Sequence, residues 1–153
     1  MEKIDELDLA ILRALSENGR LSIRELANKV HRSPTPVFER LRRLEAGGVI
    51  RGYTVTVDME KLGRGFTVIC NVKLNRINNN IHQEFARLIM EMPEVRECYN
   101  VSGAYDYLLK VQVPDMAAYR HFVTVRLGEL PMLDSVHSVF VMDTVKFESP
   151  GIM

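Results

Sequence analysis

"RSPTPVFERLRRLEAGG", residues 32–48, decides how the first third of the chain is read. Taken as one continuous helix it carries two prolines, and a proline inside a helix costs about 3 kcal/mol. The conflict disappears if the helix begins at the prolines. Ser33 then takes the N-cap, Pro34 the first helical position and Pro36 the third. The first four N–H groups of a helix have no intrahelical acceptor, so neither proline removes a bond there. Beyond them Val37, Leu41 and Leu44 line one face, with Phe38 at its edge. Thr35, Glu39, Arg42 and Arg43 lie opposite, and Arg40 flanks them. Gly47-Gly48 closes the helix.

Two further helices are legible upstream. Ser22-Ile23-Arg24-Glu25 fits a capping box, in which cap and third residue satisfy each other's backbone donors. Ile23, Leu26, Ala27 and Val30 make its apolar face. Before it Leu7, Ile11, Ala14 and Leu15 recur at helical spacing, with Asp5 as N-cap and Asn18-Gly19 as the stop. A helix, a short turn and a basic second helix are the layout of a helix-turn-helix, whose second helix enters the major groove of DNA by its N-terminal residues. The expected DNA-binding set is Arg24, Arg32, Ser33, Pro34, Thr35, Pro36, Glu39, Arg40, Arg42 and Arg43. Within it Thr35, Glu39, Arg40 and Arg43 are expected to do the reading.

Charge supports this. The 153 residues have a formal net charge of zero, but residues 20–52 carry eight basic against three acidic side chains. Residues 66–153 carry eight basic and ten acidic ones. A basic segment beside a mildly acidic remainder suggests a polyanion-binding module joined to a module with another task. No run approaches the ~18 apolar residues of a membrane span. The acidic start MEKIDELD is unlike a signal peptide, so a cytoplasmic protein is expected. Cys70 and Cys98 are read as free thiols, and the four histidines have no metal-ligand spacing. No metal or cofactor is expected.

After the glycines, Tyr53, Val55 and Val57 alternate with Thr54 and Thr56, which predicts a strand. Residues 61–65 read as a linker between a DNA-binding domain (1–60) and a second domain (66–153). The second domain alternates strand Phe66–Leu74, a helix capped by Asn80, strands Val95–Val101 and Tyr107–Val113, a helix capped by Asp115, and strand Val136–Phe147. This β-α-β-β-α-β order predicts a ferredoxin-like α+β domain, with both helices on one face of a four-stranded sheet. The other face is apolar enough to expect a partner subunit.

At this point the chain resembles the Lrp/AsnC family, the leucine-responsive and asparagine-operon regulators of bacteria and archaea. The matching stretches are "IDELDLAILRALSENGRLSIRELA" (4–27), "SPTPVFERLRRLEAGGVIRGYT" (33–54), "VSGAYDYLLKVQVPDMAAYRHF" (101–122) and "VFVMDTVK" (139–146). "SPTP" and "SGAYDYLLKVQVPDM" are similar to the leucine-responsive branch. The resemblance implies a winged helix-turn-helix followed by a ligand-sensing domain that pairs into dimers and often octamers. It implies an amino acid effector between neighbouring dimers, with Asn100, Gly103, Ala104, Tyr105, Asp106, Met116, Val139 and Phe140 at the matching positions. Asp106 is expected to hold the effector's ammonium group. Ala104 stands where many relatives have Asp or Glu, so the loop has one carboxylate fewer. That leaves a second reading, a DNA-binding architectural protein without an effector. No nucleophile–base constellation, carboxylate pair in a cleft or phosphate-binding glycine loop is legible, so no enzyme is expected.

Overall fold

In the computed structural model, which describes residues 4–76 and 78–146, α1 (Glu6–Glu17) starts with a reciprocal cap. The Asp5 carboxylate accepts the Asp8 N–H at 3.0 Å, and the Asp8 carboxylate accepts the Asp5 N–H at 3.1 Å. The same device opens α2 (Ile23–Lys29), where Glu25 Oε2 accepts the Ser22 N–H at 2.7 Å. Helix α3 (Pro34–Ala46) begins at Pro34 with Ser33 as N-cap, so Pro34 and Pro36 occupy the two positions their spacing suggested. The Ser33 hydroxyl makes no capping bond. At the other end Gly48 takes φ +70°, and the N–H groups of Val49 and Ile50 both reach the Leu44 carbonyl at 3.0 Å. Only glycine turns left-handed there without a Cβ penalty.

Ile11, Ala14, Leu26, Ala27, Val37 and Leu44 form the buried core of the three helices. Between α2 and α3 the chain turns at His31, which has φ +54°. The Arg32 N–H closes the turn on the Ala27 carbonyl at 3.0 Å. The strand expected over Tyr53–Val57 is not formed. Residues 51–58 have no ladder partner among the described residues, and Tyr53, Val55 and Val57 are all exposed. Alternation makes a strand possible; a neighbouring backbone makes it one. Tyr53 is tied instead to α3 by a 2.8 Å bond to Glu45.

The second unit has β1 (Phe66–Leu74), α4 (Asn79–Met90), β2 (Val95–Asn100), β3 (Tyr107–Val113), α5 (Met116–His121) and β4 (Leu133–Phe140). The sheet order is β2-β3-β1-β4, antiparallel throughout, which is the expected ferredoxin-like arrangement. Val68, Cys70, Val72, Leu74, Leu109 and Val111 point at the helices and pack on Phe85, Ile89, Phe122 and Leu127. Ile69, Leu108 and Val139 share the opposite face.

Three details depart from expectation. The α4 N-cap is Asn78, not Asn80; its side chain accepts the Ile81 N–H at 2.9 Å. The last strand starts earlier and ends at Phe140, while Phe147 lies outside the described residues. The helix from Met116 changes to a π-helix over Phe122–Leu127. It ends at Gly128, whose N–H donates to the Val123 carbonyl 2.8 Å away. A Cβ on Gly128 would stand 2.7 Å from that oxygen. By their internal contacts the described residues divide into two units, one holding those up to Thr56 with Val145 and Lys146, the other Val57–Thr144.

The left-handed turn at His31 gives the first test. His31→Gly should preserve the fold and raise stability by up to about 1 kcal/mol, because glycine takes this φ without the Cβ contact. His31→Val should lower it, and urea midpoints with unchanged m-values read both.

Candidate functional site

Helix α3 carries Arg40, Arg42 and Arg43, and the structure separates them. The Arg40 guanidinium donates to Asp5 and to both oxygens of Asp8, at 3.2 and 3.3 Å. Arg43 also donates to Asp8. Asp8 is 0% exposed. It sits within the apolar stripe of α1, between Ile4, Ile11 and Leu15, where an unpaired carboxylate would be costly. The two guanidiniums of α3 supply what water cannot. The Asp8 backbone N–H and Arg40 hold the Asp5 carboxyl below the usual carboxylate range, and Asp5 and Asp8 push Arg40 up. Arg40 and Arg43, expected to read DNA, are thus turned toward α1. Both stay partly exposed, with side-chain accessibilities of 31% and 37%, so the ion pairs orient them without burying them.

The outward stripe is different. Thr35, Phe38, Glu39 and Arg42 are spaced i, i+3, i+4 and i+7 and are all exposed. The Arg42 guanidinium carbon lies 5.8 Å from the centre of the Phe38 ring. Phe38, placed by its spacing at the edge of the core, is 46% exposed. Arg24, Arg32, Ser33 and Pro34 are also exposed, and Pro36 is half-buried. Arg32 folds back onto the His31 carbonyl at 3.0 Å. Two residues were thus missed from the sequence. The one local signal for Asp8 is that it is an acid within an apolar stripe; its arginine partners are more than thirty residues away. Phe38 had no such signal.

In the second unit the resemblance-derived residues fall into separate groups. Asn100 and Gly103–Asp106 lie where β2 turns into β3. Gly103 has φ +121°, a conformation that favours glycine. The Asn100 side chain donates to the Asp106 carbonyl at 2.9 Å. Asp106 itself is buried. Beyond the last β1–β3 pair, Val72↔Tyr107, its carboxylate takes the Leu74 N–H at 2.8 Å in place of a strand carbonyl. Lys73 Nζ adds a contact at 3.2 Å. Burial pushes the Asp106 carboxyl up, but the Leu74 amide and the Lys73 ammonium outweigh it and hold it below its ordinary range. Asp106, expected to receive an effector's ammonium, is engaged inside its own domain. Tyr105 stacks on His137 with ring centres 6.2 Å apart.

Met116 and Phe140 belong to another group. They line an open hollow of about 510 Å³ with Ala117, Tyr119, Arg120, Val123 and Thr124. Phe140 pairs with Val68, whereas the Asp106 N–H bonds to the Val72 carbonyl. Four residues of strand separate these points, about 13 Å at the usual strand rise. Val139 faces the other side of the sheet. At the bottom of the hollow, buried Tyr119 shares its hydroxyl with Ser138 Oγ at 2.5 Å and Cys70 Sγ at 3.1 Å. Burial pushes both the Tyr119 hydroxyl and the Cys70 thiol up, so this trio is a neutral polar anchor within the core.

A three-helix module with an outward polar stripe, joined to a ferredoxin-like domain, is the build of a two-part DNA-binding regulator. Residues 4–51 match the winged helix-turn-helix DNA-binding model, and residues 67–150 match the Lrp/AsnC ligand binding domain. The chain is 40% identical over 143 residues to the leucine-responsive regulatory proteins of Escherichia coli K12 and Salmonella typhimurium, covering 94% of this chain and 87% of theirs. A transcriptional regulator from Neisseria meningitidis, solved as an L-Met complex, superimposes with a TM-score of 0.91 at 33% identity, over 96% of this chain and 95% of that one. An AsnC family transcriptional regulator from Agrobacterium tumefaciens gives 0.90 at 36% identity, over 95% and 94%. The chain belongs to the Lrp/AsnC family. It is a DNA-binding, ligand-responsive transcription regulator. No described helix is long and apolar enough to cross a membrane.

The arginine clamp predicts an asymmetry. Replacing Arg40 and Arg43 together with Ala leaves Asp8 buried and unpaired, and should cost about 3–5 kcal/mol. Asp8→Ala leaves two guanidiniums that water can reach, and should cost less, about 1–3 kcal/mol. The triple variant should therefore be more stable than the arginine double variant; equal or lower stability in denaturant titrations would remove the clamp.

Asp106 predicts a pH dependence. Its folded pKa is depressed, so its contribution is present above the unfolded carboxyl value, about 3.9. It is lost as pH falls through the lower folded value. Asp106→Asn should be less stable at neutral pH and show a flatter decline as pH falls below about 4. Parallel pH curves for the two proteins would contradict this.

Proposed function

We propose that the ligand is an amino acid with an apolar side chain, bound at a site that two sensing domains complete together. Its binding then changes how DNA-reading helices are spaced. One observation carries this reading. Within one chain the Asp106 end of the turn lies about 13 Å along β1 from Phe140, which lines the hollow with Met116, too far to hold one small ligand. A second copy brings the two groups together if chains associate end to end. The Met116–Phe140 hollow has an apolar lining with Arg120 at its rim. That chemistry suits an apolar side chain with a carboxylate. The Neisseria relative was solved with L-Met.

The regulator on this reading is a homodimer that assembles further, toward an octamer, and acts in the cytoplasm on double-stranded promoter DNA. Residues 1–60 bind DNA, residues 61–65 link, and residues 66–153 sense and oligomerise. The open sheet face around Ile69, Tyr99, Leu108 and Val139 supplies the dimer contact. Arg24 and Arg32 flank the outward stripe of α3 as phosphate contacts, which fix register but carry no sequence information. The effector shifts a population of oligomers by binding one arrangement better than another.

A second reading is favoured by one observation: Ala104 provides no carboxylate and that of Asp106 is already engaged. An ammonium group therefore has no free anion in that turn, which fits an effector-independent architectural protein.

DNA selection with the full-length protein, with and without an amino acid mixture and with oligomer mass measured alongside, separates the two. The effector reading expects a change in mass or in selected half-site spacing. A selection identical in both arms, with no thermal shift from any amino acid at millimolar concentration, leaves the architectural reading. Arg24→Ala and Arg32→Ala should each weaken binding evenly across sequences and reduce the salt slope by about one. Unchanged slopes would displace both residues from the DNA.

A further inference from the structure

We infer that Phe38 and Arg42 act as one base-reading unit, with the Phe38 ring against the C5-methyl of a thymine and the Arg42 guanidinium on the O6 and N7 of a nearby guanine. The inference rests on α3 being the DNA-reading helix and deepens that assignment. The arginines of α3 are not equivalent. Arg40 and Arg43 are neutralised by Asp5 and Asp8, on the side toward α1. Arg42 has no carboxylate partner among the described residues, and its guanidinium lies over the Phe38 ring. It therefore keeps its full charge and all its donors for an external acceptor.

Phe38 complements this. It is a large apolar side chain, 46% exposed, amid exposed polar neighbours on the outward stripe. Its ring, 5.8 Å from the guanidinium, limits where that group can lie. A cation held against an aromatic face loses less freedom on binding. The major groove offers one apolar feature, the thymine methyl, and guanine offers the paired acceptors that suit an arginine fork. Residues four apart are about 6 Å apart along a helix. This spans one to two base-pair steps of about 3.4 Å, so the thymine and guanine lie one or two steps apart. The prolines fix the first turn of α3, so this unit stands on a stiff element, in the second and third turns from its start.

The test uses full-length protein and its selected duplex, with single bases altered by one group. Deoxyuridine replaces each thymine in turn and removes only the methyl. 7-Deazaguanine replaces each guanine and removes only N7. The wild-type should lose about fourfold in affinity at one thymine per half-site, the worth of one buried methyl. It should lose roughly tenfold at a guanine within two steps of it, the lower part of the range for a bidentate arginine contact. F38A should lose the sensitivity at that thymine, weaken the guanine effect and leave the other bases unchanged; R42A should lose the guanine sensitivity. F38L keeps the apolar volume and serves if F38A does not fold: it should retain part of the methyl effect while weakening the guanine effect. Tight sequence-specific binding that is indifferent to every thymine methyl would overturn the pair and leave α3's role intact. Wild-type binding without sequence preference would overturn the DNA-reading assignment itself. A drop in oligomer mass in F38A, with methyl sensitivity preserved, would make Phe38 a contact between chains and overturn the inference.

Discussion

A carboxylate with no access to water must be paired, and Asp8 is paired by two guanidiniums from a helix more than thirty residues away. That constraint orients α3. Once Arg40 and Arg43 are drawn to α1, the remaining positions of the helix have no choice of direction. Val37 and Leu44 go to the core, and Thr35, Phe38, Glu39 and Arg42 go outward. The hydrophobic contacts alone fix α3 less well, since apolar packing is tolerant of small rotations. A charge-assisted, multi-point contact is directional. The direction of the outward stripe is therefore set by a buried acid on another helix.

The sensing domain repeats the principle with backbone instead of arginine. Asp106 terminates the β1–β3 ladder by accepting an amide that would otherwise lose its partner, and Lys73 balances the charge. The turn before it is held by Asn100 through the Asp106 carbonyl. Both modules thus use one buried acid as an organising point. In both, residue types that read as binding groups in the linear sequence prove to be occupied at home.

This marks where the sequence is legible and where it is not. The prolines of α3, the capping box of α2 and the alternation of Val68, Cys70 and Val72 are local signals, and each element they predicted is present. The ferredoxin-like order follows because element type alternates in a fixed pattern. Roles that depend on a distant partner were not legible. The basic face of α3 gives no sign that Arg40 and Arg43 also hold Asp8. Tyr53–Val57 has strand chemistry but no neighbouring strand. The π-helix over Phe122–Leu127 has no periodicity that separates it from an ordinary helix over six residues.

The distance between Met116 and the Gly103 turn has a consequence beyond recognition. On the shared-site reading, ligand capture and chain association are one equilibrium. Apparent effector affinity then rises with the amount of regulator present, as mass action requires. The protein's own abundance becomes an input, and the same effector level means different things in a cell rich or poor in this chain.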